Sequence, residues 1–231
     1  MQYPRFHAEF FIRQNVKEIE TYGLVFRDRI VKAFETLAEE ADRLRDEEFE
    51  RLGELLGPDG DPSWAADHAT NKAAEFYTST NDIRQGVMNL MIAGLYHLFE
   101  QQAEYIMKEL PRPKTISKDG SAVFKMLHAL QDQGIQMKDL PCWRNLEELR
   151  LVANVVKHGP GDSEKELRQQ APILFKERLS MGLNFALVPV VKPLAGEGLA
   201  LGPEHFEKYA EAVKGFWEQL IEKLLPVLCP H

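Results

Sequence analysis

A long run without proline, from Phe6 to Leu56, dominates the first quarter of this 231-residue sequence. Apolar residues recur in it at intervals of three and four positions, which is the spacing of one helix face. They include Phe26, Ile30, Ala33, Phe34, Leu37 and Ala41. This spacing predicts a long helix that can break near Tyr22-Gly23 and that ends at the turn residues Gly57 to Pro62.

Further helices are predicted after that turn. They span Ser63 to Phe76, Ile83 to Leu110, Ser121 to Gln133, Trp143 to His158, Ser163 to Gln170 and Pro203 to Leu225. Thr80-Asn81-Asp82 offers side-chain oxygens that cap helix N-termini, so a new helix is predicted to begin there. Gly159-Pro160-Gly161 is a strong stop signal for the helix that begins at Trp143.

A tract before the last helix has the composition of a strand. Asn184 to Val191 is predicted to be extended, and Gly196-Glu197-Gly198 to turn the chain back through Leu199-Ala200-Leu201. We therefore predict a mainly α-helical fold with one small β-hairpin near the C-terminus. A chain of this length fits a single domain, with residues 6–160 as a helical core and residues 161–231 as an extension.

The charge balance limits the classes of function. Asp and Glu total 36 against 28 Lys and Arg, a net charge of −8. Such a balance argues against a protein that coats nucleic acid through its overall field, although a local cleft stays compatible with it.

Cysteine usage and hydropathy predict a cytoplasmic protein with no membrane partner. Cys142 and Cys229 form no CxxC pair, so they are predicted to be reduced thiols rather than disulfide or zinc ligands. The N-terminus has no signal-peptide pattern. The longest apolar tract, Gly86 to Phe99, is too short to span a bilayer and contains Asn89 and His97.

The predicted helix from Trp143 to His158 carries the most informative pattern. Its apolar positions cover most of the surface and leave a narrow polar arc. The arc consists of Glu147, Arg150, Asn154, Lys157 and His158. Arg150, Asn154 and His158 follow one another at intervals of four and so line one edge of the helix. A mostly buried helix must direct such a stripe at water, a cleft or a partner.

The chemistry of this stripe has two interpretations. An imidazole at His158 can take the proton of a ribose 2′-hydroxyl, a guanidinium at Arg150 can bind the phosphate, and the Asn154 amide can orient either group. Together they would suit RNA cleavage without a metal. Alternatively, Asn154 and His158 cap the helix end or bind a neighbouring loop, while Glu147 pairs with Arg150.

Three predicted helices share a further pattern. A long first helix is followed by a second that ends in Leu95-Tyr96-His97-Leu98-Phe99-Glu100-Gln101 and by a third that reads Glu147-Glu148-Leu149-Arg150-Leu151-Val152-Ala153-Asn154-Val155-Val156-Lys157-His158-Gly159. This pattern resembles the HEPN superfamily. HEPN domains are small helical domains, often dimeric, of prokaryotic toxins, antiviral defence proteins and RNA-processing enzymes. Their ribonucleases carry an arginine, often followed by a polar residue, and a histidine after four to six intervening positions. Asn154 and His158 match this pattern, but Ala153 stands where the arginine is expected, and Arg150 lies one turn earlier.

The resemblance implies two alternative functions. In the first, the chain acts on RNA as a metal-independent endoribonuclease of a toxin or phage-defence system. His158 would then be the acid–base residue, Arg150 the phosphate ligand and Asn154 the orienting group, in a homodimer with an antitoxin or defence partner. In the second, the domain is a non-catalytic dimerisation or partner-binding module. Ala153 favours the second function, and the retained Asn154 and His158 favour the first.

Other candidate residues have secondary roles. Glu147 and Lys157 share the polar arc, and a HEPN-like arrangement would bring His97 and Glu100 of the preceding long helix towards it. His97 and Glu100 form a single H-x-x-E pair, and no E-x-x-H motif completes a carboxylate-bridged metal site. Nucleotide-binding glycine motifs are absent too. We therefore predict neither a metal nor a cofactor.

Overall fold

A computed structural model of the chain describes residues 3–57, 60–108, 121–175 and 198–228, which are mainly helical. The helices are α1 (Tyr3–Val25), α2 (Leu37–Leu56), α3 (Pro62–Met107), α4 (Ala122–Asp132), α5 (Trp143–His158), α6 (Asp162–Gln170) and α7 (Pro203–Leu228). A π-helical turn, Phe26–Val31, and a 3₁₀ turn, Lys32–Phe34, join α1 to α2. Within these ranges, no helix is both long and apolar enough to cross a lipid bilayer.

The predicted break in the first long helix occurs, but later than Tyr22-Gly23, which both stay within α1. The α-helix ends at Val25, and the π turn begins at Phe26, which is 1% exposed and whose ring stacks on Phe206 of α7 with 4.1 Å between centroids. A π turn widens the helix by one residue. The break therefore lies where Phe26 packs against another helix, not where glycine weakens the backbone.

The prediction of two helices between Ser63 and Leu110 is wrong, because α3 is continuous and about 69 Å long at 1.5 Å per residue. It begins where the Asp61 side chain accepts a hydrogen bond of 2.9 Å from the Ser63 amide, with Pro62 in the first turn. Thr80-Asn81-Asp82 lies within the helix. Capping residues do not end a helix unless the backbone also turns, and no proline forces a turn there.

The shorter helices match their predicted positions. Ser121 caps α4 by accepting a hydrogen bond of 3.3 Å from the Phe124 amide. Helix α5 has its predicted bounds and stops at Gly159, whose φ of 73° lies in the region that glycine adopts most readily.

The predicted β-hairpin is not seen. Its first strand, 184–191, lies outside the described residues. Leu199, in the predicted second strand, forms a single antiparallel bridge with Phe175, just after α6. Leu199 and Leu201 are each 2% exposed, so this segment packs its apolar side chains into the core.

Most buried residues belong to one core formed by α1, the second half of α3, α4, α5 and α7. Phe99 of α3 lies at its centre. The Phe216 and Trp217 rings of α7 meet it edge to face, at centroid distances of 5.0 and 5.6 Å. The last helix therefore packs on the same core as α5.

Helix α2 and the first part of α3 form an antiparallel helical hairpin outside that core, and we call residues 37–80 the arm. Its own buried apolar residues do not join the main cluster. They are Leu37, Ala41, Leu52, Ala65, Ala69 and Ala73. The small alanines on α3 let the two helices approach closely along a narrow stripe.

Candidate functional site

Helix α5 lies between α3, α6 and α7. Leu149, Leu151 and Val152 are fully buried, as the apolar pattern predicted. Ala153 is 7% exposed and belongs to the core. The position at which the HEPN resemblance expects an arginine thus faces the protein interior.

Arg150 pairs with Glu147 on the predicted polar arc. The guanidinium donates from Nε and Nη2 to Glu147 Oε2 at 3.3 and 3.2 Å, and each side chain is about one-third exposed. Glu147 lies one turn before Arg150, whereas His158 lies two turns after it. The rise from residue 150 to residue 158 is about 12 Å. The ion pair therefore holds the guanidinium at the end of the arc that is remote from His158.

A tyrosine that the sequence analysis missed lies at this end of the arc. Tyr96 of α3 is 6% exposed. Burial and the nearby Glu100 raise the pKa of its hydroxyl, while Arg150 and a hydrogen bond with Ser121 oppose that rise. The structure therefore brings Glu100, Glu147 and Arg150 around one buried phenol. The available signal was its position, one residue before His97 and four before Glu100.

The other predicted site residues do not join this cluster. His97 is exposed, 3.9 Å from Glu100 through Nδ1 and 3.2 Å from the Gln101 amide nitrogen through Nε2. Asn154 is half-buried, and Lys157 and His158 are exposed at the C-terminal end of α5. The arc is thus divided into an inner part with Glu147 and Arg150 and an outer part with Asn154, Lys157 and His158.

A second missed residue, Glu148, links α5 to α7. It is 8% exposed, and its Oε1 accepts hydrogen bonds from Lys208 Nζ at 2.5 Å and from the Tyr209 hydroxyl at 2.6 Å. Burial and then the bond to this carboxylate raise the pKa of Tyr209. The sequence did contain a signal for Glu148, since on a helical wheel it lies between the apolar Val152 and Val155. A charge on a buried helix face requires partners.

The chemical capacity of these groups is limited. Among the described residues, no group of three or more His, Cys, Asp or Glu side chains is arranged to hold a metal ion. The inner part of the arc and the adjacent α3 residues together supply two carboxylates, Glu100 and Glu147, the Arg150 guanidinium and the Tyr96 phenol, whereas the imidazole of His158 lies apart from them. Within one chain, the arrangement therefore suits binding better than proton transfer at a phosphate.

Comparisons with family models, curated proteins and solved structures find no match for the chain. The HEPN assignment therefore stays a prediction that rests on the residues of α3 and α5.

Proposed function

We propose that the chain is a HEPN-like, non-catalytic interaction module, whose outer arc on α5 contacts a second protein molecule. One observation carries this proposal: Arg150 is occupied by Glu147, about 12 Å along the helix from His158. A ribonuclease of the HEPN pattern needs a guanidinium and an acid–base group on the same phosphodiester. Position 153, where the family pattern has its arginine closer to the histidine, holds an alanine that faces the core, so it supplies no guanidinium.

The outer arc has the composition of a contact surface. Asn154 is half-buried, while Lys157 and His158 are exposed beside it, and all three offer polar atoms for hydrogen bonds across an interface. The contacted molecule is a second copy of the chain or a different partner protein, such as an antitoxin or defence component.

The test is incubation of the purified full chain with structured RNA in EDTA, beside His158→Ala. We expect no cleavage by either protein. Light scattering of the same samples gives the assembly state, and Lys157→Glu with His158→Glu is expected to weaken any α5-mediated assembly. Cleavage by the unaltered chain that His158→Ala abolishes would overturn the proposal.

The second candidate function is the metal-independent endoribonuclease. Asn154 and the exposed His158 favour it, since they keep the spacing of the family's polar residue and histidine. A dimer would have to bring Arg150 of one copy to His158 of the other. In that case Arg150→Ala and His158→Ala would each abolish cleavage, and a mixture of the two variants would recover part of it.

A further inference from the structure

The arm has one face that nothing in the described chain covers. On α2, Phe49 and Leu56 lie seven positions apart and thus on the same side of the helix. They are 42% and 37% exposed. Gly53 lies between them, with no atom within 4 Å of the place where its Cβ would be.

The matching side of α3 is also open. Ala66, Thr70 and Tyr77 share one face of the helix, all three are exposed, and Tyr77 is 43% exposed. We call Phe49, Gly53, Leu56, Ala66, Thr70 and Tyr77 the open face.

The charged contacts of the arm show that these residues lie on one side of it. Glu48 is held by Arg51, at 2.6 Å, and by Lys72, at 2.8 Å, with His68 at 3.9 Å. These groups define the opposite side. On a helical wheel, Phe49 lies about 160° from Arg51, and Tyr77 about 140° from Lys72. The open face therefore lies on one side of both helices, with the exposed Asp42 and Arg45, seven and four positions before Phe49, beside its apolar side chains.

The charge of the arm identifies the chemistry of its partner. Residues 37–80 contain 12 acidic and 4 basic residues, which leaves 24 of each in the rest of the chain. The whole net charge of −8 is thus located on the arm. Arg45, which lies four positions before Phe49 and on the same side of α2, is itself paired with Asp42 and Asp46 at 2.9 Å.

We propose that the open face of the arm binds a basic amphipathic helix of a partner protein, which completes a three-helix bundle. The apolar stripe of such a helix covers Phe49, Leu56 and Tyr77, and its flanking Lys and Arg side chains meet the surrounding carboxylates. A second arm is a poorer occupant because it would bring another eight negative charges to the same place. The arm and α5 are different surfaces, so this inference does not depend on the proposed function.

The test uses the full chain and a fluorescein-labelled Leu-Lys amphipathic peptide of roughly five helical turns. Fluorescence anisotropy is expected to show saturable binding in a 1:1 ratio that weakens as salt is raised. Phe49→Ser with Leu56→Ser is expected to weaken binding at least about tenfold, since two apolar anchors are lost. Leu90→Ser is the control, because Leu90 is 49% exposed and lies on α3 outside the arm. It is expected to change the affinity for the peptide by less than about twofold.

A second variant guards against misfolding. Gly53→Arg adds bulk and positive charge to the open face at a position with free space, and it is expected to reduce peptide affinity without loss of helix. Equal binding of a Leu-Glu peptide with the same pattern would overturn the charge argument. Unchanged affinity in both open-face variants would overturn the site. A dimer that dissociates in the Phe49/Leu56 variant would show that a second copy covers the face, and would also overturn the proposal.

Discussion

The Tyr22 hydroxyl lies directly over Gly94, so close that a Cβ on residue 94 would overlap its oxygen. From this position the hydroxyl donates a hydrogen bond of 2.9 Å to the main-chain oxygen of Met91. Gly94 thus lets α1 approach α3, and its absent side chain is a packing requirement in the middle of a helix.

The first prediction is that replacing Gly94 by alanine destabilises the protein, although the same substitution usually stabilises a helix. Gly→Ala within a helix normally stabilises by about 1 kcal/mol. Gly94→Ala is expected instead to destabilise by about 1–2 kcal/mol, because the Tyr22 hydroxyl is displaced and its hydrogen bond is lost. Urea unfolding followed by circular dichroism measures the change.

Tyr22→Phe provides the matched background for that measurement. Without the hydroxyl, the nearest ring atom is Cζ, at 3.5 Å from the Cβ position, an ordinary van der Waals contact. In the Tyr22→Phe background, Gly94→Ala is expected to stabilise the protein. Its effect on the free energy of unfolding therefore has opposite signs in the two backgrounds. The same destabilisation in both backgrounds would show that the hydroxyl does not cause it.

The second prediction concerns Glu148. Glu148→Ala is expected to cost about 2–3 kcal/mol, because the buried Tyr209 hydroxyl loses its acceptor and Lys208 loses its carboxylate. Glu148→Gln is expected to cost less, since an amide oxygen still accepts from Tyr209. Glu218→Ala, on the exposed side of α7, is the control and should change stability by less than about 0.5 kcal/mol. Equal losses for the alanine and glutamine variants would contradict the role of the Tyr209 bond.

The third prediction is a pH dependence of arm stability. Hydrogen bonds from Arg51 and then Lys72 lower the pKa of Glu48 from 4.5 to about 2. Because the folded pKa is depressed, the ionised carboxylate stabilises the arm fully above pH 4.5, and this contribution is lost as the pH falls towards 2. The difference in Tm between the unaltered chain and Glu48→Gln should be largest above pH 5 and should narrow between pH 4.5 and 2. A difference that stays constant over this range would contradict the assignment.

The elements that could be predicted from sequence are those whose signals are local. Helix α5 was predicted with its correct bounds, because apolar spacing and the left-handed Gly159 both act within the segment. The same reasoning failed at Thr80-Asn81-Asp82, since a capping preference is weaker than helix continuity where no proline intervenes. The arm was missed because the pairing of α2 with the first part of α3 is set by tertiary packing and not by a local signal.

The residues of the polar arc could be predicted from the sequence, but their contacts with residues of other helices could not. The polar arc and the Glu147–Arg150 pair follow from helical spacing. Tyr96 and Glu148 were missed because their partners lie on other helices, at Arg150 and Tyr209, and pairing between helices is set by tertiary packing. The burial of Ala153 follows from its place on the apolar face of the helical wheel. A substitution at this position therefore tests whether α5 can hold the arginine of the HEPN pattern.

The fourth prediction is that an arginine cannot be restored at position 153. Ala153→Arg would place an unpaired cation in the core beside Val152, and it is expected to destabilise the protein by about 3 kcal/mol or more. Asn154→Arg is the matched control, because the next position is half-buried at the surface and should cost less than about 1 kcal/mol. Urea unfolding of both variants measures the contrast, and RNA cleavage in EDTA is assayed on the same samples. An Ala153→Arg variant that is fully stable and cuts RNA would show that this position opens onto a catalytic cleft, and the endoribonuclease would then replace the interaction module as the proposed function.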